Sequence, residues 1–333
     1  MSGGNISIFV PHIGCPNMCS FCNQRTISGE TNAPTAESVR EVCEFALKQA
    51  KSPQTMQIAF FGGSFTAIDR EYMTELLEAA SGFVSDNGFS GIRISTRPDA
   101  INEEILGILM HYGVRAIELG AQSMNDEVLL ANDRGHSAED VRRASALIKS
   151  FGFELGLQIM TGLYKSTPDI DLDTMREVIR IKPDTVRIYP TVILNGTKLG
   201  ELYQSGEYKT VSFDDMVKLC AKMLLEFRKN GIKVIRCGLH ASDNVSGEQV
   251  GGFYHPAFKE LCESEVYKSL IKAQLPDDFK GSATVLVADD CISKALGHKK
   301  SNAEYFSRRG VSLNVKGDGA LDKYQCRIIT QET

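Results

Sequence analysis

No stretch of the chain approaches the roughly 20 consecutive apolar residues that a membrane-spanning helix requires. The opening residues, MSGGNISIFV, carry neither the basic region nor the long apolar run of a secretory signal. These absences argue against a membrane protein and a secreted one, so a soluble protein of the reducing cytoplasm is expected. Positive charge is not in excess: 37 Lys and Arg face 42 Asp and Glu, a net charge of -5. Global attraction to nucleic acid is therefore excluded, although a local basic patch is not. No GxGxxG follows the first strand-like run, which removes the usual fingerprint of a dinucleotide-binding sheet. Long-period repeats and low-complexity tracts are also missing.

The composition that remains is that of a globular protein, 42% hydrophobic and 24% charged over 333 residues. Short apolar runs rich in β-branched residues alternate with stretches of helical period, the pattern of βα units around a parallel sheet. Six strands are predicted, near residues 6–10, 57–61, 92–95, 116–119, 154–160 and 185–189. A seventh pair follows, the helix FDDMVKLCAKMLLEFRKNG and the strand KVIRCGL. Ser137 reads as a helix N-cap and Gly152 as a C-terminal stop. The expected class is α/β: a partial (β/α)6 barrel of parallel strands over residues 1–245, with a small α+β C-terminal extension over 246–333. Such a barrel carries its chemistry where strands end. Here the strand ends are followed by a cysteine loop, Gly62-Gly63-Ser64, Ser95-Thr96-Arg97, Gly120-Ala121-Gln122-Ser123, Thr161-Gly162 and Tyr189-Pro190-Thr191.

Cys15, Cys19 and Cys22 crowd three of nine cysteines into one CxxxCxxC loop, while the other six are scattered. A disulfide framework does not suit a reducing compartment or an odd count. Structural zinc usually takes four protein ligands, and electron-carrying clusters usually take four cysteines. Three thiolates suit a 4Fe-4S cube that keeps one iron open. The alternatives are zinc completed by His12 or a distant cysteine, or three merely buried thiols.

CxxxCxxC after the first strand, with Phe21 just before the third cysteine, resembles the radical S-adenosylmethionine (radical SAM) superfamily. The resemblance implies a 4Fe-4S cluster on Cys15, Cys19 and Cys22 whose open iron chelates S-adenosylmethionine. The reduced cluster then cleaves that cofactor to methionine and a 5'-deoxyadenosyl radical, which a barrel lumen shields and aims. It also implies that Phe21 lies against the adenine. Gly62 and Gly63 would let backbone approach the methionine amino group. Ser64 stands where many members have an acid or Thr. Polar residues at the later strand ends, Ser95, Arg97, Gln122 and Gln158, would hold the ribose and carboxylate or meet the substrate, as would Arg187 and Tyr189. A plain loop-capping role is the alternative for each. Glu118, inside a strand, reads as a salt-bridge partner for Arg93 or Arg115. Iron and a donor such as flavodoxin or ferredoxin are implied as well, and catalytic residues on the final substrate stay unknown.

FFGGSFTAI, STRPDAI, ELGAQSMNDEVLLANDRGHSAEDV, LGLQIMTGL and RIYPTVILNGTKLGELYQSGEY together resemble the elongator catalytic subunit family, which modifies wobble uridines in tRNA. The acetyltransferase domain of that family is not matched, so its acetyl-CoA chemistry is not carried over. Arg134-Gly135-His136 reads as the turn leading into the helix at Ser137, with a substrate contact as the alternative. Between Ser293 and Gly317, Lys294, Lys299, Lys300, Arg308, Arg309 and Lys316 face only Glu304. Residues 283–318 resemble a degenerate KH-like module, with Lys300 in place of the second glycine of the GxxG loop, and Lys299, Lys300, Arg308 and Arg309 as RNA-binding candidates. A solvated helical hairpin is the alternative there. The expected function is radical SAM chemistry on RNA, with tRNA or another RNA as partner. The alternatives are a small-molecule enzyme like coproporphyrinogen oxidase, or a non-catalytic iron-sulfur protein that binds RNA or senses redox state.

Overall fold

The structure is a computed structural model that describes residues 4–11, 15, 18–23, 32–239 and 243–331; His12 lies outside them. Its first part runs β1 (Asn5–Val10), α1 (Ala36–Gln49), β2 (Gln57–Gly62), α2 (Arg70–Ser81), β3 (Ile92–Thr96), α3 (Glu103–His111) and β4 (Val114–Gln122). It continues through α4 (Asp126–Ala131), α5 (Ala138–Ser150), β5 (Glu154–Thr161), α6 (Pro168–Ile181), β6 (Thr185–Pro190), β7 (Val192–Leu194), α7 (Lys198–Gln204), α8 (Phe213–Lys229) and β8 (Lys233–Cys237). One parallel sheet has the order β1-β2-β3-β4-β5-β6-β8 and curls into a half-barrel. The α/β partial barrel expected from the alternating pattern is therefore present. The seventh pair extends it, because β7 turns out of the sheet and leaves the edge of β6 to β8.

Local chemistry starts the eight α-helices of this first part where the pattern requires. Thr35, Asp69, Asn102, Asn125, Ser137, Thr167, Thr197 and Ser212 cap α1 to α8 in turn, each side chain accepting a first-turn backbone N–H. Such a cap contributes about 1 kcal/mol and sets the residue at which a loop becomes a helix. Ser137 acts as predicted, with Asp140 closing a capping box, and Gly152 follows α5 with φ of 81°. Ile58, Ala59 and Phe60 of β2 are fully buried, as expected for a strand covered by helices on one face and by lumen contents on the other.

The remainder comprises α9 (Asp243–Glu248), β9 (Gln249–Gly252), α10 (Phe258–Gln274), β10 (Gly281–Val287), α11 (Ile292–Leu296), α12 (Ser301–Arg308), β11 (Val311–Gly317) and β12 (Cys326–Gln331). β9 returns to the barrel and pairs antiparallel with β7. Gly252 makes this approach feasible: its φ is 82°, and a Cβ there would stand 2.3 Å from the Thr191 carbonyl oxygen. α10 packs along α8, so that Cys220, Leu224 and Phe227 share one core with Cys262 and Val266. Beyond it, β10 pairs parallel with β11 and antiparallel with β12. Buried Glu263 of α10 fastens this sheet by accepting from Lys323 Nζ at 2.6 Å and Tyr324 Oη at 3.1 Å. Among the described residues no helix is long and apolar enough to cross a membrane.

One buried acid makes stability depend on pH. Asp171 of α6 accepts from Gly162 N (2.8 Å) and Ser166 Oγ (2.5 Å), and burial pushes its carboxyl up to about 7. Its unfolded value is about 3.9, so folding favours the protonated form, and the stability this provides is lost as pH rises through 7. Thermal unfolding of Asp171→Asn and of the parent between pH 5 and 8 checks this. The variant should gain on the parent as pH rises, and a gap independent of pH would contradict the assignment.

Candidate active site

A cavity of about 480 Å³ opens at the strand ends. Cys15, Cys19, Cys22, Phe21, Gly62, Gly63, Ser64, Ser95, Arg97, Gln122 and Gln158 all line it. The fold thus gathers residues spread over about 140 positions into one volume. Lys299, Lys300, Arg308 and Arg309 lie apart from it, around α12.

The cysteine loop is held from both sides. Ser20 donates through N (3.2 Å) and Oγ (2.9 Å) to Asn132, just after α4, and its carbonyl oxygen accepts from Leu199 N of α7 at 2.8 Å. Asn132 is fully buried and fixed in turn by the carbonyls of Val128 and Tyr164. Phe21 packs with Met160, Leu163 and Tyr189 along the rim. Cys15 Sγ lies 3.9 Å from Ser64 Oγ, which ties the cysteine loop to the glycine loop after β2. There Gly62 adopts φ of 113°, a region open essentially to glycine, and Gly63 N donates to Val10 O at 2.8 Å.

Strain marks the end of β4. Its register shifts between Gly120 and Gln122, and Gln122, 4% exposed, sits at φ of 63°. Non-glycine residues rarely adopt that conformation, and it collects at functional sites. The bulge turns the Gln122 side chain toward Gln158, whose Nε2 donates to Gln122 Oε1 at 3.4 Å. Arg97 donates to Asp99 (2.5 Å) and to the Arg134 carbonyl (2.9 Å).

Arg134, for which the sequence leaves a turn or a substrate contact, lies in the turn before α5 with its side chain reaching the cavity. Nη1 lies 3.0 Å from Cys19 Sγ, Nη2 donates to Gly120 O at 2.8 Å, and Nε is buried without a partner. His136 places Nε2 3.2 Å from Ala121 O; burial, with the charge of Arg134, depresses its imidazole to about 4 and keeps it neutral. No local sequence pattern distinguishes Arg134 from a turn residue, since its approach depends on where α4 ends.

The floor of the cavity is ionic. Glu118, 4% exposed, accepts from Arg93 at 3.0 Å and from Arg187 at 2.6 and 2.9 Å. The second cation is therefore Arg187 and not Arg115, because β6 brings Arg187 into the lumen beside the Phe61 ring at 5.3 Å. Burial alone would lower the Arg187 pKa, but the bonds to Glu118 outweigh it and raise it. Arg93 also holds Glu154 and Gln57 at 2.7 and 2.8 Å. Gly156 leaves room, since a Cβ there would lie 2.8 Å from Glu118 Cγ. Burial raises the phenol of Tyr189 above its usual value, so it is protonated. Arg236, also on the cavity wall, is not among the residues that the sequence singles out.

Three thiols at one mouth, a guanidinium on one sulfur, an orphaned Arg134 Nε and a lining whose one carboxylate among the described residues, Glu118, is neutralised by two arginines fit an anionic thiolate-bound cluster. Among the described residues no three Cys, His, Asp or Glu side chains converge as ligands of a single metal ion. A cube takes one thiolate on each of three irons, so its ligands must ring a volume.

This half-barrel, with its chemistry at the strand ends, defines an α/β enzyme of the partial-barrel type. Residues 9–178 match the Radical SAM superfamily and residues 183–268 the Radical SAM C-terminal domain; the chain belongs to the radical SAM superfamily. It is 32% identical over 199 residues to Elongator complex protein 3 of Homo sapiens, covering 54% of this chain and 36% of that protein. To the tRNA uridine(34) acetyltransferase of Dehalococcoides mccartyi it is 25% identical over 250 residues, 65% of this chain and 54% of the relative. The chain thus spans between about a third and a half of these curated relatives. In structure it resembles the archaeal Methanocaldococcus infernus Elp3, with a TM-score of 0.64 at 23% identity, over 83% of this chain and 64% of that one.

Removing the buried carboxylate should be costly. Glu118→Ala leaves the Arg187 guanidinium in the floor without its counter-ion, and a loss of about 3–5 kcal/mol is expected. Urea unfolding measures it; a loss below about 1 kcal/mol would show that the network does not hold the floor.

Proposed function

We propose that this chain is a radical SAM enzyme that modifies RNA, with tRNA as its substrate. The observation that carries the reading is the convergence on one cavity of the three thiols and the ends of β2, β3, β4 and β5, and the relatives named for tRNA uridine modification support the choice of substrate.

In this reading Cys15, Cys19 and Cys22 hold a 4Fe-4S cluster. When bound, the cluster and S-adenosylmethionine supply the one-electron cleavage that yields a 5'-deoxyadenosyl radical. The chain's own residues orient and shield. Gly62 and Gly63 offer backbone to the methionine amino group, and Phe21 covers the adenine. Ser64, Ser95, Arg97, Gln122 and Gln158 provide the polar contacts for carboxylate and ribose. Met160, Val192 and Leu194, also on the wall, keep water from the reacting carbon. Arg134, through its contact with Cys19 Sγ, positions that thiol. An electron donor such as flavodoxin or ferredoxin completes the cycle.

The C-terminal unit serves as the grip on RNA. Its β10-α11-α12-β11 order has the layout of a KH-like module, and the turn from Gly297 to Lys300 lies between the two helices. Lys299 and Lys300 adopt φ of 52° and 64° and are exposed, so both ammonium groups stand clear for phosphate. Arg308 is exposed near Glu304 at 3.7 Å, whereas Arg309 is partly engaged by Asp277 at 3.3 Å.

Two measurements test the reading. Anaerobically reconstituted, reduced protein should release 5'-deoxyadenosine from S-adenosylmethionine, and Cys22→Ala should lose both the iron-sulfur absorbance and that product while keeping its far-ultraviolet circular dichroism. A cluster-loaded parent that never cleaves the cofactor would sink the assignment. For RNA, Lys299→Glu with Lys300→Glu should weaken tRNA binding and lower the slope of log affinity against log salt by about 2. Unchanged affinity and slope would remove the role of the turn, and identical tRNA nucleosides by mass spectrometry in cells with and without the gene would remove tRNA as the substrate.

A further inference from the structure

The cavity has two unlike halves. Residues assigned above to cluster and cofactor come from the loop after β1 and the ends of β2 to β5, whereas beyond Arg187 of the floor Tyr189, Val192, Leu194 and Arg236 form a second wall from β6, β7 and β8. A substrate must sit against that second wall, because the first is taken by the groups that generate the radical.

The arginines of the site differ in how their charge is met. Arg93 is shared between Glu118 and Glu154, Arg97 is paired with Asp99, and Arg187 holds Glu118 through two nitrogens. Arg134 faces Cys19 Sγ and the Gly120 carbonyl. Neither Arg134 nor Arg236 has an ion pair among the described residues, but the Arg134 guanidinium is held by Cys19 Sγ and the Gly120 carbonyl, whereas the Arg236 guanidinium has no hydrogen bond or ion pair among them. It is half-buried on the cavity wall, and in the β6/β8 register it stands beside Arg187. Arg93 and Arg187 thus find carboxylate partners in Glu118 and Glu154, whereas Arg236 has none among the described residues. Tyr189, whose hydroxyl is held protonated by burial and feels the charge of Arg187 and Arg236, adds a neutral donor to the same wall. A guanidinium in a confined site is relieved by an oxyanion that accepts its planar fork of N–H groups.

We infer that Arg236 is the receptor for an anionic group of the substrate, a phosphate in the RNA reading, and that it holds the nucleotide by its phosphate while the base or sugar faces the cofactor half. The phosphate clause rests on the proposed action on RNA; the anion site rests on the cavity wall itself. Arg236 is here a binding residue, with no bond made or broken at it.

Calorimetry on reconstituted protein loaded with S-adenosylmethionine tests this, with uridine, uridine 5'-monophosphate and inorganic phosphate as probes and Arg236→Gln and Arg236→Lys as variants. The parent should bind the monophosphate about tenfold or more tighter than uridine. Arg236→Gln should erase that preference while leaving uridine affinity alone, and Arg236→Lys should restore part of it. Melting temperatures close to that of the parent would show that the variants are folded, and a misfolded glutamine variant leaves the lysine variant and the parent's own preference to decide. Equal binding of uridine and its monophosphate, no binding of either phosphate-bearing probe, or a preference that survives Arg236→Gln would overturn the anion site. Inorganic phosphate bound through Arg236 with no gain from the attached uridine would keep the anion site and overturn its use for a nucleotide.

Discussion

A carboxylate buried beneath the cavity organises this barrel. Glu118 on β4 holds Arg93 on β3 and Arg187 on β6, and Arg93 reaches on to Glu154 of β5, so four consecutive strands of the sheet are tied through their lumen side. A half-barrel has no closing strand to fix its curvature. Apolar packing of helices on the outer face specifies burial more than angle, whereas charge-assisted hydrogen bonds are directional and fail when strands shift. A buried ion pair adds little net stability over a well-packed apolar one, but breaking it is expensive. The network thus sets the shape of the floor on which the cavity stands. Gly156, which would clash with Glu118 if it bore a side chain, shows that the neighbouring strand is adapted to it.

Above that floor, the functional loops are joined to one another rather than left to the cofactor to arrange. Asn132 holds Ser20, the cysteine loop touches Ser64, and Arg134 bridges Cys19 to Gly120. The backbone strain at Gln122 and the orphaned Nε of Arg134 sit in the same region, where stability is given up for pre-organised polar groups. The far wall is different in character, with Tyr189, the apolar residues of β7 and an arginine, Arg236, that has no carboxylate partner among the described residues. The asymmetry suits the proposed division of labour between making a radical and holding the molecule it attacks.

Much of this was legible in the residues. Alternating apolar runs and helical periods marked the βα units because each strand buries both faces while each helix buries one, and Ser137 and Gly152 bounded their helix by cap chemistry that is local. The three thiols and the paired glycines were legible because their spacing reflects ligand geometry within single loops. Arg134 was not, since its role depends on the end of α4 lying over Cys19, and a three-residue turn motif looks the same whichever way its side chain points. Glu118 is legible as an ion-pair residue and Arg93, one of its two expected partners, is found; Arg187, 69 residues away, is not legible because only the lumen brings it to Glu118. The seventh strand illustrates the same limit, because whether KVIRCGL joins the sheet depends on β7 leaving the edge of β6 free.

The sequence by itself determined the class of chemistry: three cysteines in one loop, a glycine pair after the next strand and a family-wide match over residues 9–178. Such features are set by short-range spacing, which a linear chain records faithfully. Only the tertiary structure decided which polar side chains share a volume, which charges cancel and which has no carboxylate partner among the described residues. Those outcomes depend on strand register and sheet curvature, which bring Glu118, Arg187 and Arg236 from three different strands into one lumen, and no local pattern encodes them.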